Sequence, residues 1–392
     1  MPRPSLQKHY IYVPYKDKEE AKGLGAKWCS ESKKWYVPNN VDLNQFSKWL
    51  YPQENKIDIN EVHKQFSKAL FECGLFADEP IMDGKLRRVK VDGDKGSEKS
   101  GAYVGYLDGY PAGFIENFKT GQRITWKFQR ERGSQNIVSN ANVEAIKKAN
   151  EIKAAQRADE RLRLNEKTAV RLQEEYKNAS NLQGKHSYLQ AKGIESSGLK
   201  VDRFGNLLIP LHDTSGKMWS MQRIAPNGNK IIGVIKTQSE KDSGKEYAAR
   251  KKGCFYTSTP LDSHKEFFIC EGFATAKSVE ILLSKPTIMA VDSGNLLSVC
   301  EALLEKYPHK HITICADNDL KGKINRGFEA ALKCKEKYPQ IHIVKPSIAD
   351  REISDFNDLM RIKGKQTARA DIQSQLVAQS IEHNTKNKDY ER

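Results

Sequence analysis

Hydrophobic and polar positions alternate with different periods in different parts of the chain. Over residues 8–50, HYIYVPY and KKWYVP alternate like short strands, KEEAKGLGAKW predicts a short helix that stops at Gly25, and VDLNQFSKWL predicts an amphipathic helix. A segment this short has a thin core, so we expect Trp28, Trp35 and Trp49 to help fill it. A platform on which nucleic-acid bases stack is the alternative role for these tryptophans.

Residues 58–130 begin with a helical pattern and continue with a strand pattern. EVHKQFSKALFECG predicts a helix, and the later segments, divided by Asp-Gly turns, predict an antiparallel sheet. Its basic residues lie among aromatic ones, a mixture that suits single-stranded DNA because cations follow phosphates while rings stack on bases. We take Lys85, Arg87 and Arg88 as candidate DNA contacts; a solvated sheet face over core aromatics is the alternative.

The next two segments differ sharply in composition. Residues 141–183 contain neither Gly nor Pro and predict one long charged helix, or two in tandem, that serves as a strut or linker. Its apolar stripe is narrow for a coiled coil. Residues 186–256 predict a basic region of strands and turns, in which the polar segment 236–247 is expected to be a mobile loop.

From residue 265 onward, apolar strands alternate with helices, and this predicts a parallel α/β sheet. The predicted fold class is a multidomain mixture of α/β and α+β. A C-terminal parallel sheet with flanking helices follows a basic strand-rich subdomain, a helical linker and two small N-terminal α+β units. The predicted boundaries are 1–54, 55–138, 139–184, 185–262, 263–365 and 366–392, the last being a C-terminal helix with a frayed tail.

Composition narrows the possible functions. The 65 Lys and Arg against 50 Asp and Glu give a net charge of +15, which favours a polyanionic partner such as nucleic acid over a mere solubility charge. The seven cysteines are scattered without a CxxC pair, so we predict no zinc and expect reduced thiols in a cytoplasmic protein. We expect no membrane segment, and no P-loop motif for a helicase or ATPase occurs.

Acidic residues follow the predicted C-terminal strands repeatedly. Because parallel strands bring their carboxyl ends to one edge of a sheet, these acids are expected to meet there and to require a divalent cation, Mg²⁺ or Mn²⁺. Gly272 would let the backbone approach a phosphate closely. For Asp292, the alternative is a helix cap. The acids concerned are Glu271, Asp292, Asp317, Asp319, Asp355 and Asp358.

The segment Glu271-Gly272-Phe273-Ala274-Thr275-Ala276 resembles the EGYATA motif of Toprim primases from conjugative plasmids and satellite phages, with Phe in place of Tyr. The segments HSYLQAKGI, LLIPLHD, MWSMQRI, ICADND and DFNDL are similar to the same family, so the resemblance covers roughly 186–362. GLGAKW and KKWYVP resemble a small accessory domain found in such primases. The zinc finger and helicase domain that the family often adds are not evident in this chain.

This resemblance implies a DNA primase that makes RNA primers on single-stranded DNA from ribonucleoside triphosphates. Asp317 and Asp319 would be metal ligands, and Glu271 would be either a further ligand or a general base. Asp355 and Asp358 are weaker candidates for a second metal position. The resemblance further implies replication or conjugation proteins, and a separate helicase, as partners.

Several lysines and one arginine are candidates for binding phosphate. Lys321 and Lys323 could hold the triphosphate, although exposed lysines at the start of a helix are an equal alternative. The basic region before the parallel sheet would form a wall of the template groove. Its expected phosphate contacts are Arg223, Lys230, Lys251 and Lys252.

Two other functions fit part of the pattern. A Toprim nuclease needs the same Glu and Asp-x-Asp and differs in using water as its nucleophile. A non-catalytic protein that coats single-stranded DNA would need the positive charge and not the acids. Ribonucleotide incorporation separates the primase from the nuclease, and Asp317→Ala separates either enzyme from the coating protein.

Overall fold

This computed structural model describes most of the chain. The described residues are 9–11, 13–30, 32–38, 40–46, 49, 58–77, 79–107, 110–129, 140–195, 198–318, 325–348 and 350–390. They divide into two compact units, residues 1–153 and 154–392. Each unit is described separately below.

The first unit begins with a small antiparallel sheet. Strands β1 (His9–Ile11) and β2 (Lys27–Cys29) flank β3 (Lys34–Val37), with α1 (Lys18–Gly23) between β1 and β2. The segment expected to be an amphipathic helix contains a 3-10 turn, Leu43–Phe46. Trp49 is buried and donates a hydrogen bond to Asp17, as a core residue should, whereas Trp28 is 53% exposed.

The expected antiparallel sheet of residues 58–130 is confirmed. Helix α2 (Ile59–Glu72) precedes five strands that pair in sequence order. Phe66 of α2 packs against the rings of Tyr103 and Trp126, so one face of the sheet is covered by the helix. The strands are β4 (Leu75–Phe76), β5 (Arg87–Val91), β6 (Gly101–Tyr106), β7 (Ala112–Asn117) and β8 (Arg123–Lys127).

The long charged helix is confirmed as α3 (Asn140–Asn178), but its last part is not a solvated strut. The division between the two units falls within it. Leu172 is fully buried against Leu208 and Met221, so the end of α3 belongs to the core of the second unit. The end of the narrow apolar stripe therefore packs on a sheet, whereas Leu162, earlier in the helix, is 47% exposed.

The basic region after α3 is an antiparallel sheet with two short helices. The expected mobile loop contains a helix instead, because Thr237 and Glu240 form a capping box and Glu240 also binds Arg171 and Tyr247. The strands run in the order β13-β12-β11-β10-β9. The elements are β9 (Ser180–Asn181), α4 (Ser187–Lys192), β10 (Lys200–Val201), β11 (Leu207–His212), β12 (Met218–Ile224), β13 (Lys230–Ile232) and α5 (Gln238–Asp242).

The predicted parallel sheet is confirmed. Its order is β14-β16-β15-β17-β18; β16, β15, β17 and β18 run parallel, and β14 is antiparallel. Its core is continuous with that of the preceding sheet. The elements are β14 (Tyr256–Thr257), β15 (Glu266–Cys270), α6 (Phe273–Leu283), β16 (Thr287–Met289), α7 (Ser293–Lys306), β17 (His311–Cys315), α8 (Arg326–Lys337), β18 (His342–Val344), α9 (Phe356–Lys363) and α10 (Lys365–Tyr390).

Helix α10 covers the open edge of this sheet, although its C-terminal part was expected to be frayed. The side-chain amides of Gln375 and Gln379 each donate to and accept from one residue of the edge segment, Lys345 and Ile343 respectively. Unpaired strand edges are sites of aggregation, so these amides protect β18. Among the described residues, no helix combines the length and apolarity needed to cross a membrane.

Candidate active site

The carboxyl ends of β15 and β17 lie side by side and carry the two central acids. Cys270 and Cys315, the last residues of these strands, are directly paired in the parallel register. Glu271 follows the first strand immediately, and Asp317 follows the second by two residues. Both positions are partly buried, and one carboxylate oxygen of each is shielded from solvent. The two expected acids therefore emerge at one edge of the sheet.

Gly327, in the first turn of α8, is the point at which these two side chains meet. A Cβ built on Gly327 would collide with Oε1 of Glu271 and would lie 3.1 Å from Cβ of Asp317. Both acids therefore lie against the same small area of α8, which only a residue without a side chain leaves open. The sequence analysis missed this residue, whose signal was a glycine in a helix otherwise rich in Ala, Glu and Lys.

Lys230, at the start of β13, lies beside this pair. Its Nζ would be 3.9 Å from a Cβ on Gly272, which is the N-cap of α6. The pKa of Lys230 is lowered, chiefly because protein atoms displace water around the ammonium and also because Lys192 is near; Asp317 and Asp355 act in the opposite direction. Its side chain is still exposed to solvent. A cation therefore faces the acids and can be reached by an anionic ligand.

Asp355 lies close to the same cation but has a structural task of its own. It is the N-cap of α9: one carboxylate oxygen accepts from the Asp358 N–H at 2.8 Å and the other from the Thr275 hydroxyl at 3.0 Å. Burial, and then the charge of Asp358, raise the pKa of Asp355. Asp358 itself accepts the Ser354 hydroxyl at 3.0 Å. Asp355 thus joins α9 to the start of α6.

Asp292 occupies the N-cap position of α7 but its side chain makes no cap hydrogen bond. Its Oδ2 lies 2.6 Å from Nζ of Lys251 instead. The alternative expected from the sequence, a carboxylate that caps the helix, is therefore wrong: Asp292 stands at the N-cap position, but its carboxylate pairs with Lys251. Lys251, expected to contact DNA phosphate, is already paired with an acid of this sheet edge.

The remaining candidate DNA contacts have different environments. The prediction that Arg223 contacts DNA is wrong. This residue is 2% exposed, and its guanidinium binds Glu175 at 2.8 Å and Asp202 at 3.2 Å. A buried guanidinium between two carboxylates supports the packing of α3 on the sheet and is inaccessible to phosphate. Lys252 is exposed.

In the first unit, three basic residues near β5 were candidate DNA contacts. Lys85 is exposed in the turn before β5. Arg87 lies on the side of the sheet that α2 covers, and Asp83 neutralises it at 2.8 Å. Arg88 points to the opposite side, where its guanidinium lies 4.2 Å from the centre of the Phe118 ring. Arg88 is thus better placed than Arg87 for an external anion.

Three candidate residues, Asp319, Lys321 and Lys323, lie outside the described residues. Within the described part of the chain, no three His, Cys, Asp or Glu side chains are close enough to hold a metal ion. Glu271 and Asp317 nevertheless present carboxylate oxygens, the donors that Mg²⁺ and Mn²⁺ prefer. These two residues fit a hard divalent cation, and Asp319 remains the predicted third ligand.

Sequence comparison defines the class of this region. Residues 266–366 match the model of the Toprim domain, and residues 8–51 match a domain of unknown function, DUF5710. The edge of the parallel sheet described above is thus the acidic edge of a Toprim domain, and the resemblance inferred from EGFATA is confirmed.

Two curated relatives of this chain are both named DNA primase TraC. The chain is 35% identical over 338 residues to DNA primase TraC of Escherichia coli, covering 83% of this chain and 30% of that protein. It is 37% identical over 325 residues to a second DNA primase TraC of Escherichia coli, covering 80% of this chain and 21% of that protein. The chain therefore matches less than a third of the length of either relative.

Solved structures of primases resemble the chain distantly. The structure of the zinc-binding and RNA polymerase domains of Aquifex aeolicus primase aligns with 81% of this chain and 85% of its own, at 13% identity and a TM-score of 0.38. The primase fragment of the bacteriophage T7 primase-helicase aligns with 50% of this chain and 80% of its own, at 14% identity and a TM-score of 0.35.

Proposed function

We propose that this chain is a DNA primase that makes short RNA primers on single-stranded DNA by metal-dependent nucleotidyl transfer. The observation that carries the proposal is the meeting of Glu271 and Asp317 against Gly327, with Lys230 beside them. Carboxylates with an adjacent, accessible cation suit a substrate that brings both a divalent metal and a phosphate chain. The names of the relatives support the same activity.

Glu271, Asp317 and Asp319 would hold Mg²⁺ or Mn²⁺, with Asp355 and Asp358 as candidates for a second position. When bound, the cation would offset the negative charge of the attacking and leaving oxygens. Asp355 already accepts from two donors of the protein, so it depends on α9 and Thr275 for its orientation. Glu271 has two possible roles, as a ligand or as the base that removes a proton from the attacking hydroxyl.

The overall reaction joins a 3′-hydroxyl to the α-phosphate of a ribonucleoside triphosphate and releases pyrophosphate. Lys230 would bind a phosphate oxygen, because its ammonium lies 3.9 Å from where a Cβ on Gly272 would be. Lys192 adds positive charge near the same place. Lys321 and Lys323 are further candidates for the triphosphate, and Lys252 for the template.

A single-stranded DNA template and ribonucleoside triphosphates are the proposed ligands. The resemblance to primases of mobile elements supports a role in plasmid replication or conjugation, in the cytoplasm, with a separate helicase as partner. These assignments concern a chain that matches a minor part of its relatives.

The test is a synthesis assay with the full chain, single-stranded DNA, Mg²⁺ or Mn²⁺ and labelled ribonucleotides. Short RNA products that require template and metal are expected, and Glu271→Gln should abolish them while DNA binding stays near wild type. Shortened DNA without RNA products would identify the Toprim nuclease instead. Unchanged behaviour of both Glu271→Gln and Asp317→Ala would leave only a DNA-coating protein.

A further inference from the structure

We propose that the open face of the antiparallel sheet β5–β8 is a binding site for single-stranded DNA, separate from the acidic site of the Toprim domain. None of the family matches covers this sheet. Helix α2 covers the opposite face: the Phe66 ring lies 2.6 Å from a Cβ built on Gly113 and 3.0 Å from a Cβ built on Gly105. The residues of the open face therefore do not build the core of this unit.

Strand register places basic residues in rows across this open face. Arg88 pairs with Ala102, Ala102 with Glu116, and Glu116 with Arg123, so one row has a guanidinium at each end. Lys127 pairs with Ala112 in another row, and Lys90 has the same parity on β5. Within these described strands, Glu116 is the one acid on this face. The face therefore has a surplus of positive charge that complements phosphate.

Aromatic rings lie between these cations. The guanidinium of Arg123 lies 4.7 Å from the centre of the Phe114 ring, and that of Arg88 lies 4.2 Å from the centre of Phe118. Phe114 is half-buried, with Val104 and Thr125 as its neighbours across the sheet. Stacking on a ring fixes the plane of each guanidinium without consuming its hydrogen-bond donors.

A surface on which rings lie between cations suits single-stranded DNA better than duplex DNA. Bases of a single strand can stack on Phe114 or on a guanidinium while the phosphates contact Arg88, Arg123, Lys90 and Lys127. Bases of a duplex are already stacked and cannot use the ring. An acidic protein surface could bind the same cations, but such a partner would not explain a preference of this face for single-stranded over duplex DNA.

The experiment measures binding of the full chain to a fluorescent oligo(dT) strand and to the matching duplex, without metal or nucleotide. Because no synthesis is needed, failure of the proposed polymerase would leave this result unaffected. Arg88→Gln with Arg123→Gln should weaken single-strand binding about tenfold and reduce the slope of log K against log salt by about 1.4. Phe114→Leu should weaken single-strand binding about fivefold and leave duplex binding unchanged.

The matched control also removes two positive charges, but from the exposed surface of α2, the helix that covers the other face of the sheet. Lys64 and Lys68 lie on α2, and their side chains are 81% and 76% exposed. Lys64→Gln with Lys68→Gln should change binding by less than about twofold, since only general attraction is lost. Equal losses in the two double variants would overturn the site and leave only net charge.

A second arm distinguishes binding from folding and from other partners. Arg88→Lys with Arg123→Lys keeps the charge and loses the planar stacking, so we expect an intermediate loss for single strands. Thermal melting of each variant checks that the unit remains folded. Equal loss of duplex and single-strand binding in Phe114→Leu would contradict a stacking platform.

Discussion

Two of the five-stranded sheets, the parallel sheet of the Toprim domain and the antiparallel sheet that contains β5–β8, collect charge of opposite sign by different geometry. In the Toprim domain, parallel strands end at one edge, so Glu271 and Asp317 converge although 46 positions separate them in the sequence. In the sheet β5–β8, antiparallel strands alternate direction, and the basic residues spread in rows over a face. An edge concentrates charge at one point, whereas a face distributes it over several nucleotides.

The two sheets also differ in how their acids are compensated. Asp94, in the turn after β5, accepts the backbone N–H groups of Val91 and Ser100 at 2.9 Å each and pairs with Lys119 at 3.0 Å. At the parallel edge, the cation next to Glu271 and Asp317 is Lys230, which is exposed. The first arrangement stabilises a fold, and the second suits a site at which ligands bring part of the compensating charge.

The largest effect should come from removing charge at the edge. Asp317→Asn should reduce primer synthesis about 1,000-fold, because the variant loses a proposed metal ligand but keeps nearly the same shape. Asp292→Asn is the matched control at the same edge: its carboxylate is paired with Lys251, so synthesis should fall less than about threefold. Both are measured by incorporation of labelled ribonucleotides. Similar losses in the two variants would contradict a site centred on Asp317.

Gly327→Ala tests whether the meeting point of the two acids matters. The added methyl group would collide with the Glu271 carboxylate and displace it, while alanine favours a helix by about 1 kcal/mol over glycine. We expect synthesis to fall about 100-fold with no loss of thermal stability.

Gly23→Ala is the control for this substitution, since Gly23 is also helical and a Cβ there would meet nothing within 4 Å. It should leave synthesis unchanged. Full activity of Gly327→Ala would show that the acids need not touch α8.

Lys230→Met tests the cation beside the acids. Loss of the ammonium should raise KM for the ribonucleotide about tenfold with a smaller change in kcat, because the charge is proposed to bind the triphosphate. Lys230→Arg, which keeps the charge, should recover part of the loss. Steady-state kinetics at varied nucleotide concentration measure both. A change in kcat alone would remove Lys230 from nucleotide binding.

The sequence predicted the edge better than it predicted the contacts across it. The apolar runs EFFIC and HITIC coincide with β15 and β17, because a fully buried parallel strand is a continuous apolar segment. A glycine in the helical pattern marked Gly327, but its contact with Glu271 could not be predicted, since that contact depends on how α8 packs. Arg223 looked like a groove cation because its partners, Glu175 and Asp202, are distant in the sequence.

For the antiparallel sheet, composition predicted the mixture of bases and rings but not its sides. Tyr103 and Trp126 pack under α2, whereas Phe114 lies on the open face. Only the strand register separates these two sets, because a shift of the register by one residue would move every side chain of a strand to the other face of the sheet.

The smallest expected effect concerns Asp94, the compensated acid of the antiparallel sheet. Burial would raise the pKa of this carboxyl, but hydrogen bonds from Ser100 and Val91 and the charge of Lys119 hold it well below the usual range. A carboxyl whose pKa is lower in the folded than in the unfolded state stabilises the fold above the unfolded value, about 4, and loses that effect as pH falls. Asp94→Asn should therefore lower Tm by about 3 °C at pH 7 and by a smaller amount at pH 3, where part of the effect has been lost because pH 3 lies below the unfolded pKa. Thermal melting at the two pH values measures this change in Tm, with Asp92→Asn in the same turn as the control. A Tm difference between Asp94→Asn and the wild type that is the same at pH 3 as at pH 7 would mean that the charge of Asp94 does not stabilise this sheet.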